Sequence, residues 1–184
     1  MRKFAAAILF AATISTPAFA QDAAGNFAGG YVGVVGGVDN ISAGGEAETG
    51  FIYGVNAGYD FQAGSAVFGV EGEATLSTTT QCDTSVDLCA EAGRDFYIGG
   101  RAGLPVASTV LAYVKAGYTN ARANLEDTVG TDIDSVNLDG VRGGVGLEYN
   151  NGTSPFTVRL EYRYSNYEND FSRHQGVLGV GFRF

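Results

Sequence analysis

The chain has 184 residues, with 20 acidic against 11 basic side chains, a net charge of −9, 28 glycines and no tryptophan. That acidity argues against a nucleic-acid partner, which needs basic surface, and the length suits one domain. The longest uncharged run near the start of the mature part, residues 23–38, is too rich in glycine for a membrane-spanning helix.

Residues 1–20 read as a secretory signal peptide. Arg2 and Lys3 are the basic start, residues 4–12 are a short apolar stretch, and Ala18-Phe19-Ala20 is a small-x-small cleavage pattern. The apolar stretch is shorter than the ~20 residues that cross a bilayer, so cleavage is expected after Ala20. The mature domain is then 21–184, and the loss of Arg2 and Lys3 leaves nine basic residues against 20 acids, a balance of −11.

Eight segments alternate apolar and polar residues with period two, the signature of a strand whose two faces meet different surroundings. They fall near 29–38, 51–61, 66–76, 95–104, 110–119, 138–149, 156–165 and 174–184. In the seventh, Phe156, Val158, Leu160, Tyr162 and Tyr164 share one parity, and Thr157, Arg159, Glu161, Arg163 and Ser165 the other. Connections alternate too. Residues 62–65, 105–109 and 150–155 are short and carry turn residues, whereas about 39–50, 77–94, 120–137 and 165–173 read as long loops. Short turns at one end and long loops at the other are the pattern of transmembrane barrels. Cys82 and Cys89 lie in the second long loop of an exported chain, which reads as a local disulfide.

Alternation also suits a soluble barrel with an apolar interior, so the polar parity has to decide. It carries Asp60, Glu71, Glu73, Asp95, Glu148 and Glu161 against Arg101, Lys115, Arg142, Arg159, Arg163 and Arg183, six of each sign in an otherwise acidic chain. An enclosed space enforces such balance, because an unpaired buried charge costs several kcal/mol. The same parity is rich in glycine, which leaves room for long Arg and Glu arms in a narrow eight-stranded barrel. Apolar residues then face lipid, with Phe51, Tyr53, Tyr59, Phe61, Tyr118, Tyr149, Phe156, Tyr162, Tyr164, Phe182 and Phe184 near strand ends as interfacial girdles. The expected fold is all-β: an eight-stranded antiparallel up-and-down transmembrane barrel with short periplasmic turns and long extracellular loops.

The segments "GYVGVVGG", "AYVKAGYTNAR", "VRLEYRYS" and "GVLGVGFRF" make the chain resemble the OmpA/OmpX-like and opacity-type small outer-membrane barrels of Gram-negative bacteria. It is especially similar to the alphaproteobacterial surface-antigen porin-family proteins. The resemblance covers the mature chain, and a C-terminal peptidoglycan-binding domain like that of larger OmpA proteins is not expected. It implies an outer-membrane location. It also implies that Leu178, Val180, Phe182 and the terminal Phe184 are the signal read by the outer-membrane assembly machinery.

Three functions fit such a barrel. In the first it is structural, a porin by kinship only, its lumen plugged by Glu71, Glu73, Arg101, Lys115, Arg142, Glu148, Arg159, Glu161 and Arg163; a small-solute porin is the variant of this reading. In the second it is an enzyme. The single histidine, His174, has Ser172 two residues away on the same strand, which is no triad, so no catalysis and no cofactor are expected. In the third it acts as an adhesin or recognition protein through acidic loops: Asp39, Glu46 and Glu48; Asp83, Asp87 and Glu91; Glu126, Asp127, Asp132 and Asp134; Glu168 and Asp170. Clustered carboxylates bind hard cations, so divalent ions are expected to bridge these loops to lipopolysaccharide, although 126–139 lacks the spacing of a dedicated calcium loop. The protein is expected to be a monomer in contact with outer-membrane lipid.

Overall fold

The structure, a computed structural model, describes residues 27–43, 46–83, 88–127, 132–168 and 171–184; the expected signal peptide, 1–20, lies outside them. Nine strands follow in order: β1 (Gly29–Ala43), β2 (Glu46–Ala63), β3 (Ala66–Ser77), β4 (Thr80–Asp83), β5 (Leu88–Ala107), β6 (Val110–Asp127), β7 (Asp132–Tyr149), β8 (Phe156–Tyr167) and β9 (Ser172–Arg183). Consecutive strands pair antiparallel except β3 and β4, β1 pairs β9, and β3 pairs β5. The result is a closed eight-stranded barrel. The extra strand, β4, follows β3 after Thr78 and Thr79 and continues the pairing along β5. Closure lets the backbone donors and acceptors of each barrel strand pair with strands on both sides, the condition for crossing hydrocarbon without helices.

The alternation read from the sequence becomes a two-sided wall. Along β8 every second residue is buried without a break: Thr157, Arg159, Glu161, Arg163 and Ser165 face inward, and the Phe156–Tyr164 parity faces out. Along the middle of the wall the outer face is apolar, with Val70 62%, Ile98 66%, Val141 67% and Leu160 60% exposed. A soluble protein does not display a continuous belt of this kind. The inner face has two apolar patches. Phe27, Val67, Leu111 and Tyr113 close the end where the short turns lie, and Val35, Ile52 and Val177 sit further along. Gly64 and Gly152 lie in those turns with φ of +62° and +73°, where a side chain would be strained.

The strands run well past the segments expected from the sequence. The regions 39–50, 77–94, 120–137 and 165–173 were expected as loops, yet β2, β6 and β7 have 18 residues and β5 has 20. A tilted strand needs only about 9–11 residues to cross the hydrocarbon. The excess projects from the loop end as extended hairpins. There the periodic signal fades because neither face has to be apolar, but backbone pairing continues. Unlike β5 and β6, strands β8 and β9 stop at 12 residues.

Candidate functional site

The interior of the barrel is a column of alternating charge. Among the described residues seven carboxylates are buried: Asp39, Asp60, Glu71, Glu73, Asp95, Glu148 and Glu161. Seven cations are buried with them: Arg101, Lys115, Arg142, Arg159, Arg163, Arg173 and Arg183. Every cation bridges at least two carboxylates. At the loop end Arg173 joins Asp39 to Asp95, the latter at 3.1 Å. Arg142 joins Asp95 at 2.5 Å to Glu73 at 3.4 Å. Arg163 joins Glu73 at 2.5 Å to Glu161. Lys115 joins Glu161 at 2.7 Å to Glu71 at 2.8 Å, and Arg159 joins Glu71 at 2.6 Å to Glu148 at 3.6 Å. At the turn end Arg101 and Arg183 both join Glu148 to Asp60. The chain of contacts is unbroken from one mouth to the other.

Aromatic side chains fill the space between the ions. Tyr31 donates to Glu71 at 2.7 Å and Tyr113 donates to Glu161 at 2.6 Å. The guanidinium of Arg101 lies 4.6 Å from the Tyr31 ring centre and 5.1 Å from that of Tyr113, a favourable cation–ring arrangement. Near the loop end Tyr167 donates to Asp95 at 2.8 Å and Thr119 donates to it at 2.7 Å. These hydroxyls take up carboxylate lone pairs that the cations leave open, as buried polar groups require.

The structure places all nine of the sequence-derived interior charges in this column, with Asp60, Asp95 and Arg183. It corrects one assignment. Asp39, expected as an exposed loop carboxylate, is fully buried on β1 and binds Arg173. Both residues lie on the inward parity just beyond the expected strand ends, which is the signal that could have found them. Tyr31 and Tyr167 were also missed. Of the other loop acids, Glu48 and Glu168 are exposed; the side chains of Glu46, Asp83, Asp87, Glu91, Glu126, Asp127, Asp132, Asp134 and Asp170 lie outside the described residues. Cys82 and Cys89 are cross-strand partners in the β4–β5 ladder, and their side chains too lie outside the described residues. Leu178, Val180, Phe182 and Phe184 all face outward on or just after β9, between 42% and 73% exposed. His174 also faces outward, its Nδ1 2.7 Å from the Tyr162 hydroxyl and its ring 4.8 Å from that of Tyr164.

A closed barrel filled with paired ions, with an apolar outer wall, defines a small integral outer-membrane protein. The chain belongs to the outer membrane protein beta-barrel domain family, whose model matches residues 6–184. It is 30% identical over 131 residues to the 25 kDa outer-membrane immunogenic protein of Brucella ovis. That alignment covers 71% of this chain and 62% of the relative, so the chain spans less than two thirds of the relative's length. Two solved structures share the fold. Neisserial surface protein A aligns with a TM-score of 0.62 at 20% identity over 84% of this chain and 97% of its own. Ail of Yersinia pestis, in complex with the heparin analogue sucrose octasulfate, aligns with a TM-score of 0.60 at 18% identity over 85% and 99%.

Proposed function

We propose that the protein is a sealed structural barrel, exported through a signal peptide cleaved after Ala20, with its turns in the periplasm and its extended hairpins outside the cell. One observation carries this reading: each of the seven interior cations is shared between at least two carboxylates. A water-filled path would need these pairs separated at several levels at once, and breaking a single buried pair costs about 3–5 kcal/mol. Kinship with porins then describes descent rather than conduction. Planar-bilayer recording of the purified protein is the test. Rare, small openings are expected; steady large single-channel currents from the folded barrel would overturn the sealed lumen.

The projecting hairpins support a second role, recognition at the cell surface. Ail holds a polysulfated ligand in its crystal structure, but the loops here are acidic and repel polyanions. Recognition by this chain suits a cationic partner, or lipopolysaccharide bridged by divalent ions. Deleting the β4–β5 and β6–β7 hairpin tips is expected to abolish cell adhesion while leaving the barrel's heat-modifiable gel mobility intact. Unchanged adhesion would remove this role.

A further inference from the structure

An apolar groove of about 800 Å³ runs obliquely along the outer wall. Its floor is Ala57 on β2 with Gly72 and Ala74 on β3, and Val55, Phe96 and Ile98 form its banks. The register produces it. Phe156, Phe182, Val32, Ala57, Gly72 and Ile98 are successive cross-strand partners, so one row of the sheet falls from large side chains to small ones and rises again. Six strands at ~4.8 Å spacing give the row a length of about 24 Å measured across the strands.

The loop end of this groove is polar in a specific way. Arg94 lies over the Phe96 ring, its guanidinium carbon 4.7 Å from the ring centre. Unlike the interior cations, it reaches no carboxylate among the described residues. The next cross-strand partners of Phe96 are Asn120 and then Asp139. The Asp139 carboxylate accepts from the Tyr118 hydroxyl at 2.5 Å and from Asn120 Nδ2 at 2.7 Å. A cation with no carboxylate partner among the described residues and a fixed carboxylate beside aromatic rings thus stand at the top of an apolar channel.

We propose that the groove holds an acyl chain of a phosphorylated glycolipid, with Arg94 on its phosphate and Asp139 accepting from its sugar hydroxyls. The inference rests on the orientation proposed above, which puts this end in the outer leaflet. Guanidinium binds phosphate by charge-assisted hydrogen bonds. A second copy of the barrel fits poorly, because a concave strip meeting itself across a two-fold axis leaves a void and brings two Arg94 side chains together. A glycerophospholipid shares the phosphate and the chain but has no sugar for Asp139.

Native mass spectrometry of the folded full chain, titrated with diphosphoryl lipid A, is the test. One lipid A is expected to stay bound, with at least ten-fold weaker binding after Arg94→Gln or Ala74→Leu. Ala116→Leu, which adds the same bulk to the outer wall away from the groove, is expected to bind as the wild type does. Dephosphorylated lipid A and phosphatidylethanolamine are each expected to bind at least ten-fold more weakly. Equal retention by the wild type and Arg94→Gln overturns the site, and so does phosphatidylethanolamine binding as tightly as lipid A. Arg94→Gln alters only a wall-surface contact and carries the test if Ala74→Leu fails to fold. Labelling of the hairpins on intact cells reports the orientation separately, so a failure of that premise is distinguishable from a failure of the site.

Discussion

Arg163 on β8 and Glu73 on β3, 90 residues apart in sequence, meet across the lumen in a two-point ion pair, Nη1 to Oε1 at 2.5 Å and Nη2 to Oε2 at 2.6 Å. The pair ties opposite walls of the barrel together, and the third guanidinium nitrogen holds Glu161 on β8 itself. Parallel double contacts of this kind fix geometry as well as adding energy.

Removing one member leaves a buried charge with too few partners. Arg163→Met is therefore expected to destabilise the barrel by about 3–5 kcal/mol. The double variant Glu73→Gln/Arg163→Met is expected to lose at least ~1 kcal/mol less than the two single changes added together, the mark of direct coupling. Urea unfolding in lipid vesicles followed by circular dichroism measures both. Additive losses would mean that the pair is not coupled.

Tyr113 on β6 and Gly146 on β7 are direct cross-strand partners. A Cβ at position 146 would fall 2.6 Å from Tyr113 Cζ and from its hydroxyl oxygen, so the glycine is needed for close approach. Gly146→Val is expected to cost about 1–3 kcal/mol, the usual range for overpacking, and to displace the hydroxyl from Glu161. Gly143→Ala is the control. It faces outward and meets nothing closer than a backbone oxygen at 4.0 Å, so its unfolding midpoint is expected to stay at the wild-type value.

The wall of this barrel was legible in the sequence and its ends were not. Period-two alternation marked the lipid-facing residues from Val32 to Phe182, because hydrocarbon demands apolar side chains on one parity and the enclosed lumen demands matched charge on the other. Beyond Val38 and before His174 the outward face no longer touches hydrocarbon. Asp39 and Arg173 therefore looked like loop residues although the inward parity continues through them. Six of the seven ion-bridged acids could be placed by parity, but their partners could not. Pairing such as Arg163 with Glu73 depends on how strands are staggered around the closed barrel, and stagger is not written in any one strand. The Tyr–Gly contacts were hidden for the same reason, since Gly146 becomes Tyr113's partner only once the register is set.

Cys82 and Cys89 are opposite one another in the β4–β5 ladder, in a chain expected to fold in an oxidising compartment. A disulfide between them is proposed. Maleimide labelling of the unfolded, non-reduced protein is expected to modify neither cysteine, and both after reduction. Closing so short a ring contributes at most about 2.5 kcal/mol on the chain-entropy account. Since it lies in a projecting hairpin, Cys82→Ser/Cys89→Ser is expected to change barrel unfolding little. Labelling without reductant would exclude the bond.

Phe184 is expected to combine two roles that a substitution can separate. Its backbone pairs with Gly30, N–H to O at 2.8 Å and the reciprocal bond at 3.0 Å, closing the seam between the first and last strands. Its ring is 73% exposed and 6.5 Å from that of Phe182, so little packing depends on it. Phe184→Ser keeps the backbone bonds and removes only the ring. If the aromatic terminus is an assembly signal, refolding of the variant into detergent proceeds as for wild type, while the heat-modifiable protein recovered from the outer membrane of cells falls several-fold. If the ring acts only by stabilising the seam, refolding and cellular yield fall together. A variant that fills the outer membrane normally would show that the machinery reads other residues of β9.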